Sequence, residues 1–370
     1  MRFLSLPVLS YIENIYNDTR NTAHPAVCRP RHSLNIVYLA KYINSFGGIE
    51  TRILAYAEAL ARMNCNVIFA SEQNDCKAIK SRFTCLHINF HARNFQKSLL
   101  KIINSHHIDV VEFQTRSRRF IYSLDLEEIK RHCRVGCCIH GEIPAIDIPS
   151  LNRMDYRILI SDLLCSINYD KLNHYRILPN AIRHIRPVWK YSHQAKALIV
   201  SRITKDKFNQ LCSAIEYCRA KNIQFTIAGS TKRDDTAKRL KRLYNLDNTI
   251  FTDKEIDTMQ YLKEHVNEYL MVAGVGQVLL EAGSLGYPCL LVSDIKAGYS
   301  TFLTRKNIRG NFGRNLTLTH FSEAKRHLLV PEIDISAIAD YDISDAIRQD
   351  FSIHDRINDY IPYISGEVSV

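Results

Sequence analysis

The stretch Met271–Ser293 reads MVAGVGQVLLEAGSLGYPCLLVS and holds the most specific pattern of the 370-residue chain. An apolar run ends at Ala273, glycines follow at Gly274 and Gly276, and an apolar helical pattern begins directly after them. Gly286 ends that pattern, and a second apolar run follows. The order strand, tight turn, helix, strand is typical of an α/β fold, and the amides of such a turn can bind a phosphate.

Glu281 is the unexpected residue of this predicted helix, because it stands among the small and apolar residues VLLEAGSL. A helix bounded by glycines and packed on a sheet accounts for the glycines but not for a carboxylate. A carboxylate beside a cleft can accept hydrogen bonds from two vicinal hydroxyls, such as those of a ribose. The stretch therefore indicates a phosphate site with a hydroxyl-binding carboxylate nearby.

The same alternation of strand and helix patterns runs through most of the chain. It starts at Leu34, is interrupted by the proline- and charge-containing segment AIRHIRPVWKYSHQ, and restarts at Lys196. We therefore predict two Rossmann-like parallel-sheet domains that face each other across a cleft, with ligands at the carboxyl ends of the strands. The predicted segments are an N-terminal extension (1–33), the two domains (34–185 and 186–325) and a helical C-terminal tail (326–370).

Charge and motif content narrow the classes of function. The chain has 49 Lys and Arg against 38 Asp and Glu, a formal charge of +11 that favours anionic partners. Nucleic-acid binding would need clustered cations with interleaved aromatic residues, and no such cluster is evident. An NAD-dependent enzyme is disfavoured because G-x-G-x-x-G is absent, and zinc-ribbon spacing is absent because no C-x-x-C occurs.

Three further loops follow predicted strands. Gly47 and Gly48 open the helix of GGIETRILAYAEALAR, either to let an anion approach or to allow a positive φ at the helix entry. His140 ends the strand VGCCIH, where it can bind a sugar hydroxyl, act as an acid or base, or be an ordinary loop histidine. Arg202 and Lys207 lie five residues apart after the strand KALIVS, a pattern that suits a diphosphate; Lys205 is an alternative to Lys207.

Taken in this order, the loops resemble those of the retaining GT-B glycosyltransferases of family 4, of the type that builds bacterial lipopolysaccharide and capsule. The similarity covers about residues 34–292 and includes GGIET, the pair Arg202 and Lys207, and the second half of an E-x7-E motif ending at Glu281. The strand ends at His140 and at LPNAI, which contains Asn180, also fall at the positions that the family uses.

The resemblance implies an enzyme that moves a sugar from a nucleotide-diphosphate sugar, with a UDP-sugar favoured, to a glycan acceptor with retention of configuration. The N-terminal domain would bind the acceptor and the C-terminal domain the donor, and His140, Arg202 and Lys207 would be catalytic. No metal or cofactor is expected, and the string Asp340-Tyr341-Asp342 is interpreted as chance. The expected donor-binding residues are Gly47, Gly48, Gly274, Gly276, Gln277 and Glu281.

One position departs from the family pattern. Ala273 stands eight residues before Glu281, where the first glutamate of E-x7-E is expected. This replacement leaves two interpretations: an enzyme with a different contact to the donor sugar, or an inactive protein of this fold that binds a nucleotide sugar or a partner. The family's usual histidine after IDVV is also replaced, by Glu112 and Gln114.

The acceptor is expected on the N-terminal side. Arg116, Arg118, Arg119 and Glu142 are the candidate acceptor residues, and the arginines could bind phosphates of a lipid-linked glycan. The segment from His91 to His107 has cations at positions 93, 97 and 101 and apolar residues elsewhere, which allows either a surface helix or peripheral contact with an anionic membrane. Together with the charge, these features predict a cytoplasmic protein working at the inner face of the membrane.

Overall fold

A computed structural model provides the structure of the chain. It describes residues 33–43, 47–114, 121, 124–141, 145–161, 171–183, 186–189, 196–231, 234–254, 256–266, 268–292, 300–308 and 340–367. Almost all of the predicted N-terminal extension lies outside these residues. Within them, no helix is both long and apolar enough to span a membrane.

The N-terminal domain is built on a seven-stranded parallel sheet of order β5-β3-β1-β6-β7-β8-β9. Its central strands are buried on both faces, which explains why they read as continuous apolar runs. The strands are β1 (Asn35–Leu39), β3 (Asn66–Ser71), β5 (Thr84–His87), β6 (Val110–Phe113), β7 (Arg134–Ile139), β8 (Tyr156–Leu159) and β9 (Tyr175–Ile177), with the short pair β2 (Tyr42–Ile43) and β4 (Gln73–Asn74) beside them.

Helices connect these strands and cover the sheet. The first helix, α1, buries Ile53, Tyr56 and Leu60 in the N-terminal core, as its apolar period predicts. The described helices of this domain are α1 (Gly48–Arg62), α2 (Lys77–Lys80), α3 (Phe95–Ser105), α4 (Leu126–Lys130) and α5 (Ile148–Asn152).

The C-terminal domain has a five-stranded sheet of order β11-β10-β12-β13-β14. The first four strands are parallel, as predicted, and β14, an edge strand that sequence analysis does not predict, runs antiparallel to β13. Only residues 293–299 join these two strands, too few for the crossover that a parallel pair needs. The elements are β10 (Lys196–Val200), α6 (Phe208–Ala220), β11 (Gln224–Ala228), α7 (Thr236–Tyr244), α8 (Thr258–Glu264), β12 (Met271–Gly274), α9 (Gln277–Ser284), β13 (Cys289–Val292) and β14 (Ser300–Phe302).

The end of the chain joins both domains. Helix α10 (Ser344–Phe351) packs its apolar side chains into the C-terminal core, whereas α11 (Ile353–Ser365) packs into the N-terminal core. The chain thus crosses between the domains a second time. The amide of Ile182 donates to the carbonyl of Phe351 at 2.9 Å, and the amide of Ile353 donates to the carbonyl of Ile182 at 3.0 Å. The two crossing segments are therefore hydrogen-bonded to each other.

Candidate functional site

A cavity of about 510 Å³ opens between the two sheets. The start of α1, the end of β7 and the segment around Asn180 line it from the N-terminal side. The loops after β10 and β11 and the helices α8 and α9 line it from the other side. The walls are therefore the carboxyl ends of strands and the first turns of helices, where α/β folds bind ligands.

The two glycines before α1 have different roles. Gly47 has a φ of 174°, an extended conformation open to any residue, so the predicted alternative of a positive φ at the helix entry is wrong for it. A Cβ atom at Gly47 would collide with the carboxylate of Glu50, so the backbone lies close against that side chain. A Cβ atom at Gly48 would lie 3.7 Å from the Cβ atom of Gln277. Gly48 therefore faces the other domain across the cavity.

Glu281 lies in α9 with its side chain almost completely buried at the cavity wall. The pKa of Glu281 is raised to about 7. Burial is the largest cause and the nearby carboxylate of Asp257 adds to it, whereas hydrogen bonds from Gln277, Thr258 and Thr51 act in the opposite direction. Since Thr51 belongs to α1, the carboxylate is influenced from both domains. The site therefore holds a buried carboxyl group that titrates near neutral pH.

Gln277 stands beside this carboxylate at the beginning of α9. Its Nε2 atom lies 3.3 Å from Oε1 of Glu281. Its Oε1 atom is buried and accepts no hydrogen bond from any part of the chain that the structure describes. An acceptor of this kind at a cavity wall is suited to a hydroxyl or N–H donor of a ligand.

Arg202 and Lys207 both line the cavity, whereas Lys205 does not. A guanidinium nitrogen of Arg202 lies 3.0 Å from a carboxylate oxygen of Asp206, and both side chains are exposed. Burial raises the pKa of Asp206, but the hydrogen bond from Thr204 and the charges of Arg202 and Lys207 outweigh it and hold that pKa below its usual value. Arg202 thus pairs with an acidic side chain that the charge of Lys207 also influences, and an exposed ion pair of this kind is weak enough for a phosphate to replace it.

The glycines of the 271–293 stretch shape the wall without lining it. Gly274 is the buried last residue of β12, and Gly276 is buried in the turn before α9. Gly276 has φ 59° and ψ −129°, a conformation that side-chain-bearing residues rarely adopt. The turn therefore depends on Gly276 to aim α9, and with it Gln277 and Glu281, at the cavity.

His140 directly follows β7 and lines the cavity. It is half-buried, and its Nε2 atom lies 2.9 Å from Oε1 of Gln114. The sequence-predicted residues Gly47, Gly48, His140, Arg202, Lys207, Gln277 and Glu281 thus line one cavity.

Ala273 does not face this cavity. It lies within β12, is fully buried, and belongs to the apolar core with Ile199 and Leu290, which pair with it in the sheet. The cavity lining therefore receives no carboxylate from this position.

Several lining residues were missed or left without a role by sequence analysis. Asn180 and Arg183 come from the crossing segment, and Asp257 and Thr258 from the start of α8. Arg183 also pairs with Glu58 of α1. Asp257 caps α8 by accepting from the amide of Gln260, an ordinary capping pattern that does not by itself indicate a ligand site.

The predicted acceptor residues Arg116, Arg118, Arg119 and Glu142 lie outside the described residues. Among the residues that are described, no group of three or more His, Cys, Asp or Glu side chains could hold a metal ion. Asp342 of the D-x-D string accepts from the amide of Ser344 at 3.0 Å, and Tyr341 is buried in the C-terminal core, so the string has a local structural role.

The apolar face of helix α3 packs against the N-terminal domain. Phe95, Leu99 and Ile103 pack into the N-terminal core, and Lys97 and Lys101 are exposed. The apolar face is already occupied, so any contact of α3 with a membrane would rest on charge alone.

No protein-family model matches the chain, and no curated protein sequence matches it. Solved structures do match it along nearly its full length. A glycosyltransferase from Rickettsia africae is 13% identical, covers 91% of this chain and 98% of its own, and has a TM-score of 0.60. The pneumococcal O-GlcNAc transferase GtfA, in complex with UDP and GlcNAc, is 10% identical over 91% and 99%, with a TM-score of 0.58.

The lipopolysaccharide outer core galactosyltransferase WaaB, solved without ligand, is 14% identical over 90% of this chain and 100% of its own, with a TM-score of 0.55. At these identities the similarity concerns the fold. The chain has the GT-B fold, with two Rossmann-like domains facing across a cleft, as the sequence predicts.

Proposed function

We propose that the chain is a glycosyltransferase that moves a sugar from a nucleotide-diphosphate sugar, with a UDP-sugar favoured, to a hydroxyl of a glycan acceptor. One observation carries the proposal. A single cavity between the domains presents two cations, Arg202 and Lys207, on one loop and a buried carboxylate, Glu281, on a neighbouring helix. These groups match the two polar parts of such a donor, its diphosphate and its ribose.

The nucleotide part of the donor lies along the wall formed by α9, the loop after β10 and the start of α1. The ionised carboxylate of Glu281 accepts hydrogen bonds from the ribose hydroxyls, and the amide oxygen of Gln277 offers a further acceptor beside it. The diphosphate lies between the two cations and the start of α1, where Gly48 leaves room for the backbone to approach an anion. The structure of the pneumococcal enzyme with UDP and GlcNAc supports a nucleotide in this fold.

The transfer step follows from this placement. The bond between the anomeric carbon and the β-phosphate oxygen breaks, and the acceptor oxygen forms the new bond on the same face of the sugar, so configuration is retained. The acceptor's proton passes to an oxygen of the departing phosphate. Arg202 and Lys207 stabilise the charge that develops on that leaving group. His140 contacts the transferred sugar or guides the acceptor hydroxyl, and because the residues themselves supply the positive charge, the proposal requires no metal or cofactor.

A thermal-shift screen tests the donor. Any ligand of the folded state raises the melting temperature, so the protein is screened against UDP, GDP, ADP and CMP and then against their sugars. We expect the largest shift with UDP or a UDP-sugar. Turnover is then measured as release of the free nucleotide diphosphate, with the stereochemistry of the product read by NMR. An inverted product would remove retention from the proposal.

An inactive nucleotide-sugar- or partner-binding protein is the second candidate, and Ala273 is its support. The position of Ala273 in the core, away from the cavity, weakens that support. Binding of a nucleotide sugar without release of the diphosphate, with a panel of glycan acceptors present, would favour this candidate.

For the acceptor, we propose a lipid-linked, lipopolysaccharide or capsule glycan reached at the cytoplasmic face of the membrane. The net charge of +11 and the exposed Lys97 and Lys101 of α3 support contact with an anionic surface. Flotation with acidic liposomes should show binding that is lost at high salt. No binding at low salt would contradict the membrane contact and leave the donor proposal intact.

A further inference from the structure

His140 stands at the end of a chain of hydrogen bonds that leads from the cavity into the N-terminal core. Its Nε2 atom lies 2.9 Å from Oε1 of Gln114, and Nε2 of Gln114 lies 2.5 Å from Oε1 of Glu112. Gln114 and Glu112 are both buried, and neither lines the cavity. The function proposed above uses neither of them.

The sheet register brings Glu112 to its partners. Tyr38, Glu112, Gly136 and Tyr156 stand side by side across β1, β6, β7 and β8. The ring of Tyr156 occupies the space that a Cβ atom on Gly136 would need. Because position 136 is a glycine, Tyr156 can reach across the intervening strand and donate to Oε2 of Glu112 at 3.2 Å.

The C-terminal helix supplies the next donor. The hydroxyl of Tyr360, in α11, donates to Oε2 of Glu112 at 2.8 Å. The hydroxyls of Tyr38 and Tyr360 lie 2.9 Å apart, and since the proton of Tyr360 is directed at Glu112, Tyr38 is the donor of that pair. Glu112 therefore accepts from Tyr156, Tyr360 and Gln114.

A buried cation balances this carboxylate. Arg52, in α1, is fully buried, and its guanidinium lies over the ring of Tyr56 at 4.3 Å with no hydrogen bond to a described residue. Burial holds the pKa of Glu112 above its usual value, and the charge of Arg52 and the three hydrogen bonds offset part of that rise. Three donors and a nearby cation suit the ionised form of Glu112.

An ionised carboxylate only accepts hydrogen bonds, and this fixes the groups beyond it. Gln114 must turn its amide nitrogen toward Glu112, since the opposite orientation would set two acceptors against each other. Its amide oxygen then faces His140. The Nε2 atom of His140 must donate to that oxygen, so the neutral ring carries its proton on Nε2 and is basic at Nδ1.

We propose that Glu112 and Gln114 are positioning residues for His140: they hold its ring and fix its proton on Nε2. The role of His140 toward the sugar or the acceptor rests on the proposed function. The tautomer does not, because it follows from contacts inside the N-terminal domain.

The tautomer is measured by NMR on the intact protein labelled with 15N-histidine. Long-range proton–nitrogen correlations show which ring nitrogen is protonated, and the signal of His140 is identified by its loss in His140→Gln. We expect the Nε2–H form in the wild type. In Gln114→Leu, which removes both hydrogen bonds at similar volume, the ratio of the two tautomers should change several-fold. Turnover should fall about tenfold or more while UDP affinity stays within about twofold.

Tyr38→Phe and Tyr360→Phe are a matched pair, because each removes one hydroxyl from the same cluster but only Tyr360 contacts Glu112. The tautomer should be unchanged in Tyr38→Phe and disturbed in Tyr360→Phe. Glu112→Gln keeps the side-chain size, and the tautomer of His140 is measured in this variant instead if Gln114→Leu does not fold.

An Nδ1–H tautomer in the wild type would overturn the proposal whatever the variants do. An unchanged tautomer in folded Gln114→Leu would also overturn it. If no donor sugar is ever transferred, the proposed function fails, while the NMR result still decides the positioning role.

Discussion

The Nε2 atom of Gln277 lies 3.3 Å from Oε1 of Glu281, and both side chains are buried at the cavity wall. This contact is the strongest polar support that the carboxylate receives from its own helix. Burial still dominates, and the pKa of Glu281 is about 7. The group proposed to bind the ribose is therefore only partly ionised at neutral pH.

We predict that nucleotide binding depends on the ionisation of Glu281. As pH falls from 8 to 6, protonation removes an acceptor for the ribose hydroxyls, so UDP affinity of the wild type should fall. Glu281→Gln should bind UDP about ten- to a hundredfold more weakly at pH 8, and the gap should narrow toward pH 6. Titration calorimetry across this range measures it. The phosphate titration of UDP is common to both proteins, so the difference between them isolates Glu281.

Glu264→Gln is the control, since Glu264 is an exposed residue on the neighbouring helix α8. It should bind UDP like the wild type at every pH. A constant ratio between wild type and Glu281→Gln over the whole range would contradict the assignment of Glu281.

We predict that replacing Glu281, which should weaken UDP binding at pH 8, stabilises the ligand-free protein at the same pH. The folded pKa of Glu281, about 7, lies above the ordinary value of 4.5. Folding thus favours the protonated form. The contribution of Glu281 to the free energy of unfolding is complete below the ordinary pKa and is lost as pH rises through about 7. Glu281→Gln should therefore be more stable than the wild type at pH 8, by on the order of 3 kcal/mol in unfolding free energy, and similar to it near pH 4.5. Denaturant unfolding without ligand checks this, and equal stability at pH 8 would contradict it.

We predict that Arg202 and Lys207 act in the chemical step. Arg202→Ala and Lys207→Ala should each lower turnover about a hundredfold or more, because the charge on the leaving diphosphate loses its compensation. Lys205→Ala is a matched control: Lys205 lies in the same turn but does not line the cavity. Steady-state rates at saturating donor decide the matter. Near-normal rates in both cavity variants would refute the assignment of these cations, as would an equal loss in the control.

We also predict that Asp206 competes with the diphosphate for Arg202. Their 3.0 Å ion pair is exposed, so its contribution is small and a phosphate can displace it. Asp206→Asn should bind UDP about two- to fivefold more tightly at low ionic strength, and the gain should shrink as salt is added. Weaker binding by Asp206→Asn would show instead that Asp206 holds Arg202 in its binding position.

Much of the fold and cavity is predictable because its signals are local. The apolar runs and the glycines around α9 set the order of elements. Arg202 and Lys207 follow the end of β10, and Glu281 lies within the helix that follows β12, near the strand ends where α/β folds bind ligands. The chain order of these loops is therefore enough to predict one shared cavity.

The remainder depends on contacts between distant segments. Tyr360 reaches Glu112 from 248 residues away, and no local period announces that pairing. Gly47 illustrates a second limit: the sequence shows that a glycine is there, but only the structure shows that its φ is extended and that its backbone lies close against the side chain of Glu50. The antiparallel direction of β14 follows from the length of a connection, which an apolar pattern does not report.

We predict different effects of substituting Gly276, in the turn before α9, and Gly48, which lines the cavity. Gly276 has φ 59° and ψ −129°, so Gly276→Ala should strain the turn before α9 and cost about 1–3 kcal/mol of stability. Gly48 is helical, and a Cβ atom there would make an ordinary 3.7 Å contact with Gln277. The free energy of unfolding of Gly48→Ala should therefore lie within about 0.5 kcal/mol of the wild-type value.

Gly48→Ala should affect UDP binding rather than stability. Gly48→Ala places a methyl group where the diphosphate is proposed to approach the backbone, so UDP affinity should fall although the fold is intact. Gly48→Leu should abolish binding, because its side chain would fill the gap between α1 and α9. Thermal unfolding and calorimetry on the same samples test both halves. Wild-type affinity in folded Gly48→Leu would place the diphosphate away from α1.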